Sequence, residues 1–274
     1  FAADLCVVTE DQTGDGSVDM SQASAAVLFD VNNKKVLYSK NAHERLYPAS
    51  LTKVMTALVA LQNASPDTVL TATDSVKITE SGAQLCGLKA GDTMTLDQAL
   101  HILLMYSAND AAMLIAENIG GSVDHFVEMM NEEAQRLGAT NTSFTNPHGL
   151  SDDNHYTSAY DLYLIFNECI KHEEFMDIIS ASSYTANVTG ADGTARQLTW
   201  EPTNYYARGA AALPEGATVI GGKTGYTGDA GDCLVLLCEN DSGDQYISIV
   251  MGAADKPTLY EDMTALIDQI PSLE

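Results

Sequence analysis

Three short groups of residues combine side chains that could do nucleophilic chemistry. Ser50 and Lys53 stand three apart, a spacing that puts both on one face of a helix. A serine hydroxyl attacks well only after a base takes its proton. A lysine amine can be that base when burial or a neighbouring cation lowers its pKa. A helix N-terminus there would add free N–H groups and a positive field suited to an oxyanion. The same spacing also fits a capping serine followed by a solvated lysine. Ser107 and Asn109 flank Ala108 between two helical patterns, where they could point into one cleft or simply cap the second helix. Lys223, Thr224 and Gly225 follow Gly221 and Gly222. No phosphate-loop pattern surrounds this lysine. Its glycines allow another chain close to a strand edge, though they also fit a glycine-rich turn. Lys223 could supply a second cation near Lys53, and Thr224 a hydroxyl for a carboxylate.

The elements that must hold these groups are legible as patterns. Residues 26–31 and 35–38 read as a hairpin closed by Asn32, Asn33 and Lys34. Pro48 introduces helical spacing over 50–62, with apolar residues at 51, 54, 55, 58, 59 and 61. Further helices are predicted over 96–105, 110–119, 123–137 (ended by Gly138), 158–169 and 173–180, with a turn at Asn146-Pro147-His148-Gly149. From Tyr184 the chain turns to short Thr- and Val-rich runs. Residues 233–238 and 246–251 read as buried strands, and Pro257 opens a last helix over 259–270. The expected class is α/β in the α+β sense: an antiparallel sheet from 24–40 and 184–270, flanked by helices, with a helical lobe at about 65–180. We read 1–274 as one intertwined unit.

Composition narrows the function. The chain has 274 residues, 45% of them hydrophobic, and a net charge of −25. Such acidity repels phosphate backbones and opposes nucleic-acid binding or a polybasic membrane patch. No run approaches the roughly 20 apolar residues of a membrane span. The chain opens at Phe1 without a visible signal peptide, so its start is read as either processed or cut from a longer chain, with any membrane attachment through an anchor outside this sequence. The cysteines (Cys6, Cys86, Cys169, Cys233, Cys238) fit no zinc spacing, and Cys233 and Cys238 read as buried thiols or, alternatively, a disulfide. The six histidines include no H-E-x-x-H, so a zinc peptidase is not indicated. His148 and His155 flank a loop and read as structural. Residues 11–19 vaguely resemble a calcium loop, but Thr13 and Gln22 stand at ligand positions, so a solvated acidic loop is the better reading. Trp200, Tyr205 and Tyr206 could line a cleft or serve packing.

Taken together, the order S-x-x-K, S-x-N, K-T-G is the motif set of penicillin-binding proteins and serine β-lactamases. With Tyr47-Pro48-Ala49-Ser50-Leu51-Thr52-Lys53, Ser107-Ala108-Asn109-Asp110, Asn146-Pro147-His148-Gly149-Leu150, His155-Tyr156-Thr157-Ser158 and Gly222-Lys223-Thr224-Gly225-Tyr226-Thr227, the chain resembles the serine D-Ala-D-Ala carboxypeptidases of the low-molecular-weight penicillin-binding class. The resemblance covers nearly the whole chain and implies a β-lactamase/transpeptidase-like fold. It makes Ser50 the nucleophile, Lys53 the general base and Ser107 a proton relay. It gives substrate binding to Asn109, Lys223, Thr224 and Gly225, and an oxyanion hole to the backbone N–H groups of Ser50 and Tyr226. It implies no metal or cofactor. The implied partners are peptidoglycan stem peptides and, as inhibitors, β-lactam antibiotics, at an extracytoplasmic location. An arginine that relatives usually carry between the last strand and final helix is matched here by Leu259, with Lys256 the nearest cation. No β-rich module follows within the sequence. A β-lactamase is the rival enzyme, but no E-x-x-L-N lies between the second and third motifs. A wall-peptide-binding homologue without turnover is the other alternative.

Overall fold

The computed structural model describes residues 4–273. The hairpin forms as predicted, β1 over Ala25–Asp30 and β2 over Lys35–Lys40, with Asp30 accepting from Asn33 to close the turn. A 3-10 turn (Ala49–Leu51) leads into α1 (Thr52–Asn63). Two short strands follow, β3 (Val69–Thr71) and β4 (Thr93–Thr95). Next come α2 (Leu96–His101), α3 (Asn109–Gly120), α4 (Val123–Leu137), α5 (Ala159–Cys169) and α6 (Glu173–Ser180). Caps explain the boundaries. Ser122 and Ser158 accept from His125 N and Asp161 N, and Gly138 ends α4 in the left-handed conformation. The C-terminal part contributes β5 (Tyr184–Thr189), β6 (Ala195–Trp200), β7 (Thr218–Thr227), β8 (Gly231–Glu239), β9 (Gln245–Ala253), α7 (Lys256–Ile267) and α8 (Ile270–Leu273).

The strands build two sheets. The main one is antiparallel in the order β2-β1-β9-β8-β7, so strands from both ends of the chain pair, and β7 lies at an edge. β8 and β9 are buried on both faces, which explains their continuous apolar runs. Alternation sorts their side chains. Val235, Leu237, Ile247 and Ile249 join the large core beneath α1 and α5, whereas Leu234, Leu236, Val250 and Tyr246 pack under α7 with Leu259, Met263 and Leu266.

The second sheet, β3-β4-β5-β6, corrects the expected assignment of 184–270 to one sheet. The β5–β6 hairpin instead pairs with β4, through Thr93 and Thr189. β5 alternates buried and exposed positions and lays Ala186 and Val188 against the helical lobe. Its sequence carries that alternation but no mark of which sheet it extends, and β3 and β4 are too short to stand out. A second departure lies at 96–105, where α2 passes into a π turn over Ile102–Tyr106 that halts at Ser107. All five cysteines are buried free thiols. In the acidic 11–19 loop, Asp15 accepts from Ser17 N and Asp19 from Ser21 N, and both carboxylates are spent on their own turns. Trp200 stacks on Tyr106 and Tyr205 on Tyr260, so these rings serve packing.

Candidate active site

The three motifs converge where the edge strand β7 meets the start of α1 and the junction before α3. Ser50 sits in the 3-10 turn and Lys53 in the first turn of α1. Lys53 is fully buried, with Nζ 2.8 Å from Ser50 Oγ. It donates to Asn109 Oδ1 (2.7 Å) and to the carbonyl of His148 (2.7 Å). Burial, then the charge of Lys223, hold the Lys53 amine well below the ordinary lysine pKa, while Asp110 pulls the other way. A neutral amine has two N–H groups and one lone pair. Both partners other than Ser50 are carbonyl oxygens, which only accept. They take the two N–H groups, so the lone pair is left facing the Ser50 hydroxyl. The arrangement can therefore remove a proton from Ser50.

The loop that brings the His148 carbonyl is pinned to α1. Thr56 donates to Pro147 O, and His155 Nε2 lies 2.7 Å from Thr52 Oγ1. Because His155 Nδ1 accepts from Thr145 N, the ring proton sits on Nε2 and points at Thr52. Asn146 Oδ1 accepts from His148 N and Gly149 N, folding the turn. Gly149 has φ +99°, and a Cβ there would lie 1.9 Å from Ala49 O, so only glycine fits. Burial pushes His148 down to about 3, with the Lys53 charge adding to the effect, and His155 down to about 4. The structural reading of both histidines agrees with these contacts. The delivery of a backbone carbonyl to Lys53 has no signal in the sequence beyond the Asn-Pro-His-Gly turn itself.

Ser107 adopts φ +63°, a conformation rare for a residue with a Cβ and one that stores about 1–3 kcal/mol. The surrounding chain enforces it. Carbonyls freed where the π turn ends are taken by Thr203 N (on Met105 O) and Gln84 Nε2 (on Tyr106 O). Ser107 Oγ then accepts from Lys223 Nζ at 2.9 Å, and Lys223 also donates to Thr224 O. Lys223 is 1% exposed, and burial pushes it down to about 7. Asn109 N is fixed by Gln84 O. Next to it, the buried carboxylate of Asp110 accepts from the backbone N–H groups of Cys86, Gly87 and Leu88, anchoring the segment whose Gly82, Ala83 and Gln84 form one wall of the cavity.

Thr224 Oγ1 is 2.6 Å from Thr203 Oγ1, a partner that the sequence does not single out. Gly225 lies against the nucleophile's backbone: a Cβ there would stand 3.0 Å from Ser50 N and 3.1 Å from Leu51 N and Pro48 O. This glycine thus admits Ser50 itself to the strand edge, a closer constraint than the room for substrate expected above. Tyr226 has an exposed side chain on the outer reach of the same strand. The cavity, about 260 Å³, is lined by Ser50, Ser107, Asn109, Thr224, Gly225 and Tyr226, with Asp232, Lys256 and Leu259 toward α7. Leu259 is 1% exposed and packs in the core under α7. Among the described residues no cluster of three or more His, Cys, Asp or Glu is arranged to hold a metal.

Comparison with known proteins agrees with this geometry. A D-alanyl-D-alanine carboxypeptidase of Bacillus subtilis is 34% identical over 254 residues, spanning 90% of this chain and 61% of the relative. A D-alanyl-D-alanine carboxypeptidase of Haemophilus influenzae is 35% identical over 243 residues, 84% of this chain and 57% of the relative. The chain thus spans about three fifths of the length of these relatives. Among solved structures, a Streptomyces DD-transpeptidase superposes with a TM-score of 0.83 at 27% identity, covering 97% of this chain and 100% of the other. A D-alanyl-D-alanine carboxypeptidase from Mycobacterium tuberculosis gives 0.83 at 28% identity, covering 96% and 97%. The fold is therefore the β-lactamase/transpeptidase-like one that the sequence resemblance implied. The D-alanyl-D-alanine carboxypeptidase family model matches residues 11–255, which include every residue of the Ser50–Lys53–Ser107–Lys223 constellation, and the chain belongs to that family.

Proposed function

We propose that this protein is a serine D-Ala-D-Ala carboxypeptidase that trims the terminal D-Ala from peptidoglycan stem peptides. The carrying observation is the position of Lys53: Nζ lies 2.8 Å from Ser50 Oγ and its other two contacts are acceptor-only carbonyl oxygens, so the amine, once neutral, can turn its lone pair to Ser50. In this reading Lys53 takes the Ser50 proton as Oγ attacks the carbonyl between the two D-alanines. The backbone N–H groups of Ser50 and Tyr226 receive the oxyanion. Ser107, hydrogen-bonded to Lys223, passes a proton to the leaving amine. Asn109 holds the peptide backbone, while Lys223 and Thr224 meet the terminal carboxylate. Water then releases the trimmed peptide, with no cofactor. A β-lactam would acylate Ser50 in the same way. The only carboxylate lining the cavity, among the described residues, is Asp232, so no glutamate is placed to activate a deacylating water as a β-lactamase would require. A substrate of this kind lies outside the cytoplasmic membrane, so we propose an extracytoplasmic location. Among the described residues, no helix is long and apolar enough to cross a membrane.

The test combines intact-protein mass after penicillin addition with D-Ala release from a D-Ala-D-Ala peptide. The expected result is one persistent adduct on Ser50, and loss of both adduct and release in Ser50→Ala. D-Ala release that survives Ser50→Ala would reject the mechanism. Rapid consumption of the drug without an adduct would make the protein a β-lactamase.

A further inference from the structure

One hydroxyl in the cavity wall has no part in the proposed reaction. Thr203 lines the cavity, and its Oγ1 lies 2.6 Å from Thr224 Oγ1. Neither hydroxyl has a second hydrogen-bond partner among the described residues. The chain around Thr203 holds it in place. Its backbone N–H donates to Met105 O, the buried Pro202 precedes it, and Asn204 Oδ1 accepts from Tyr206 N to close a turn just after it. Thr224 is held as firmly, because Lys223 Nζ donates to its carbonyl and its strand pairs with Leu234 on β8. Two threonines 21 residues apart in the chain thus meet hydroxyl to hydroxyl at the cavity wall.

Proton counting sets what the pair can do. Each hydroxyl brings one proton and two lone pairs. Their mutual hydrogen bond uses one proton, and the other stays on whichever oxygen accepts. A carboxylate only accepts. When Thr203 donates, the remaining proton sits on Thr224, the hydroxyl that the carboxypeptidase reading gives to the terminal carboxylate. We propose that Thr203 is a positioning residue for substrate binding: it donates to Thr224 Oγ1 and so turns the Thr224 proton toward the terminal carboxylate of the peptide. This inference rests on the carboxypeptidase reading of the same cavity. A chain of hydroxyls that ends on a carboxylate is polarised along its length, which strengthens the last bond. Without Thr203 the Thr224 hydroxyl rotates freely, and binding must restrain it. The effect falls on binding, since the Thr203 hydroxyl bonds to Thr224 and to no group that moves a proton to or from Ser50.

The experiment measures D-Ala release from a peptide ending in D-Ala-D-Ala by the wild-type protein, Thr203→Val, Thr203→Ser, Thr224→Val and the double variant Thr203→Val/Thr224→Val. Valine has the shape of threonine without the hydroxyl, and it keeps the N–H that Met105 O accepts, so the Ser107 backbone is left alone. Thr203→Val should lower kcat/KM by roughly tenfold, through a higher KM at nearly constant kcat. Thr203→Ser, which keeps the hydroxyl, should stay within about twofold of the wild-type protein. In the Thr224→Val background the same Thr203→Val change should cost less than about twofold, because the group it acts through is gone. An equal loss in both backgrounds, a loss that falls on kcat, or a Thr203→Ser variant as impaired as Thr203→Val overturns the inference while leaving the carboxypeptidase reading intact. If Thr203→Val does not fold, Thr203→Ala removes the same hydroxyl and carries the same expectations. No D-Ala release by the wild-type protein would overturn the carboxypeptidase reading and this inference with it.

Discussion

The two ends of the cavity are built on opposite principles. At the inner end every polar group has a partner: Lys53 with Ser50, Asn109 and His148, and Lys223 with Ser107 and Thr224. At the outer end Asp232 accepts no hydrogen bond from the described residues, and Lys256 projects into solvent near the Tyr205 ring. Satisfied groups in an enclosed space cannot rotate away, so the inner end is held in one arrangement of side chains. At the outer end the cavity opens to solvent, which can hydrate the Asp232 carboxylate in place of a protein partner. The fold thus fixes the chemistry at the inner end and leaves the end under α7 open to solvent.

Substitutions test this contrast. The largest effect is expected at the inner end, where Lys53→Met should slow acylation of Ser50 by about 10³- to 10⁴-fold, as measured by adduct formation over time. A loss under tenfold would show that another group takes the proton. The second largest concerns stability. His155 is held near 4 in the folded protein against an ordinary 6.5, so the unfolded chain binds the extra proton between those values. Stability should therefore fall as pH drops from about 6.5 toward 4, by up to about 3 kcal/mol from this ring. His155→Gln keeps a donor and an acceptor but cannot titrate, and denaturant unfolding at pH 7 and 4.5 should show a smaller acid loss. Equal losses would mean that the ring is not buried neutral.

Gly225→Ala should come next. Its methyl would press on Ser50 N and Leu51 N, and acylation should drop by about 10²-fold, comparable to losing one oxyanion donor. Unchanged acylation would show that β7 can move away from Ser50, making the inner end less rigid than described. The smallest effect is a shift in pH dependence. Lys53 acts only when neutral, so acylation should rise with pH through its depressed pKa. The Lys223 charge contributes to that depression, and Lys223→Met should move the rising limb to higher pH, by about one unit. A limb that stays in place would assign the depression to burial alone.

Much of the site is legible in the chain itself. Ser50 and Lys53 share a helical face, because three residues make nearly one turn. Ser107 and Asn109 sit at a helix junction, and Lys223 lies in a Val- and Gly-rich run with the character of a strand. The family resemblance ties the three together. Helices with serine caps and glycine ends, such as α4, can be read to within a residue or two, because local capping decides such boundaries. The β5–β6 hairpin falls in a different sheet from the one its pattern suggests, because alternation reveals a half-buried strand but not its neighbour.

The reactive groups and their local geometry follow from the order of residues alone, since both depend on chemistry and on spacings of a few residues. Their environments depend on contacts between distant parts of the chain. The Lys53 amine is held well below the ordinary lysine pKa because distant parts of the chain bury it and bring Lys223 near, while Asn109 and His148 place two carbonyl oxygens beside it. Ser107 adopts a left-handed backbone because Thr203 and Gln84 take the carbonyls before it. Asp232 reaches the cavity beside Tyr226 because β8 pairs with β7 there, a placement that no local pattern in the chain marks.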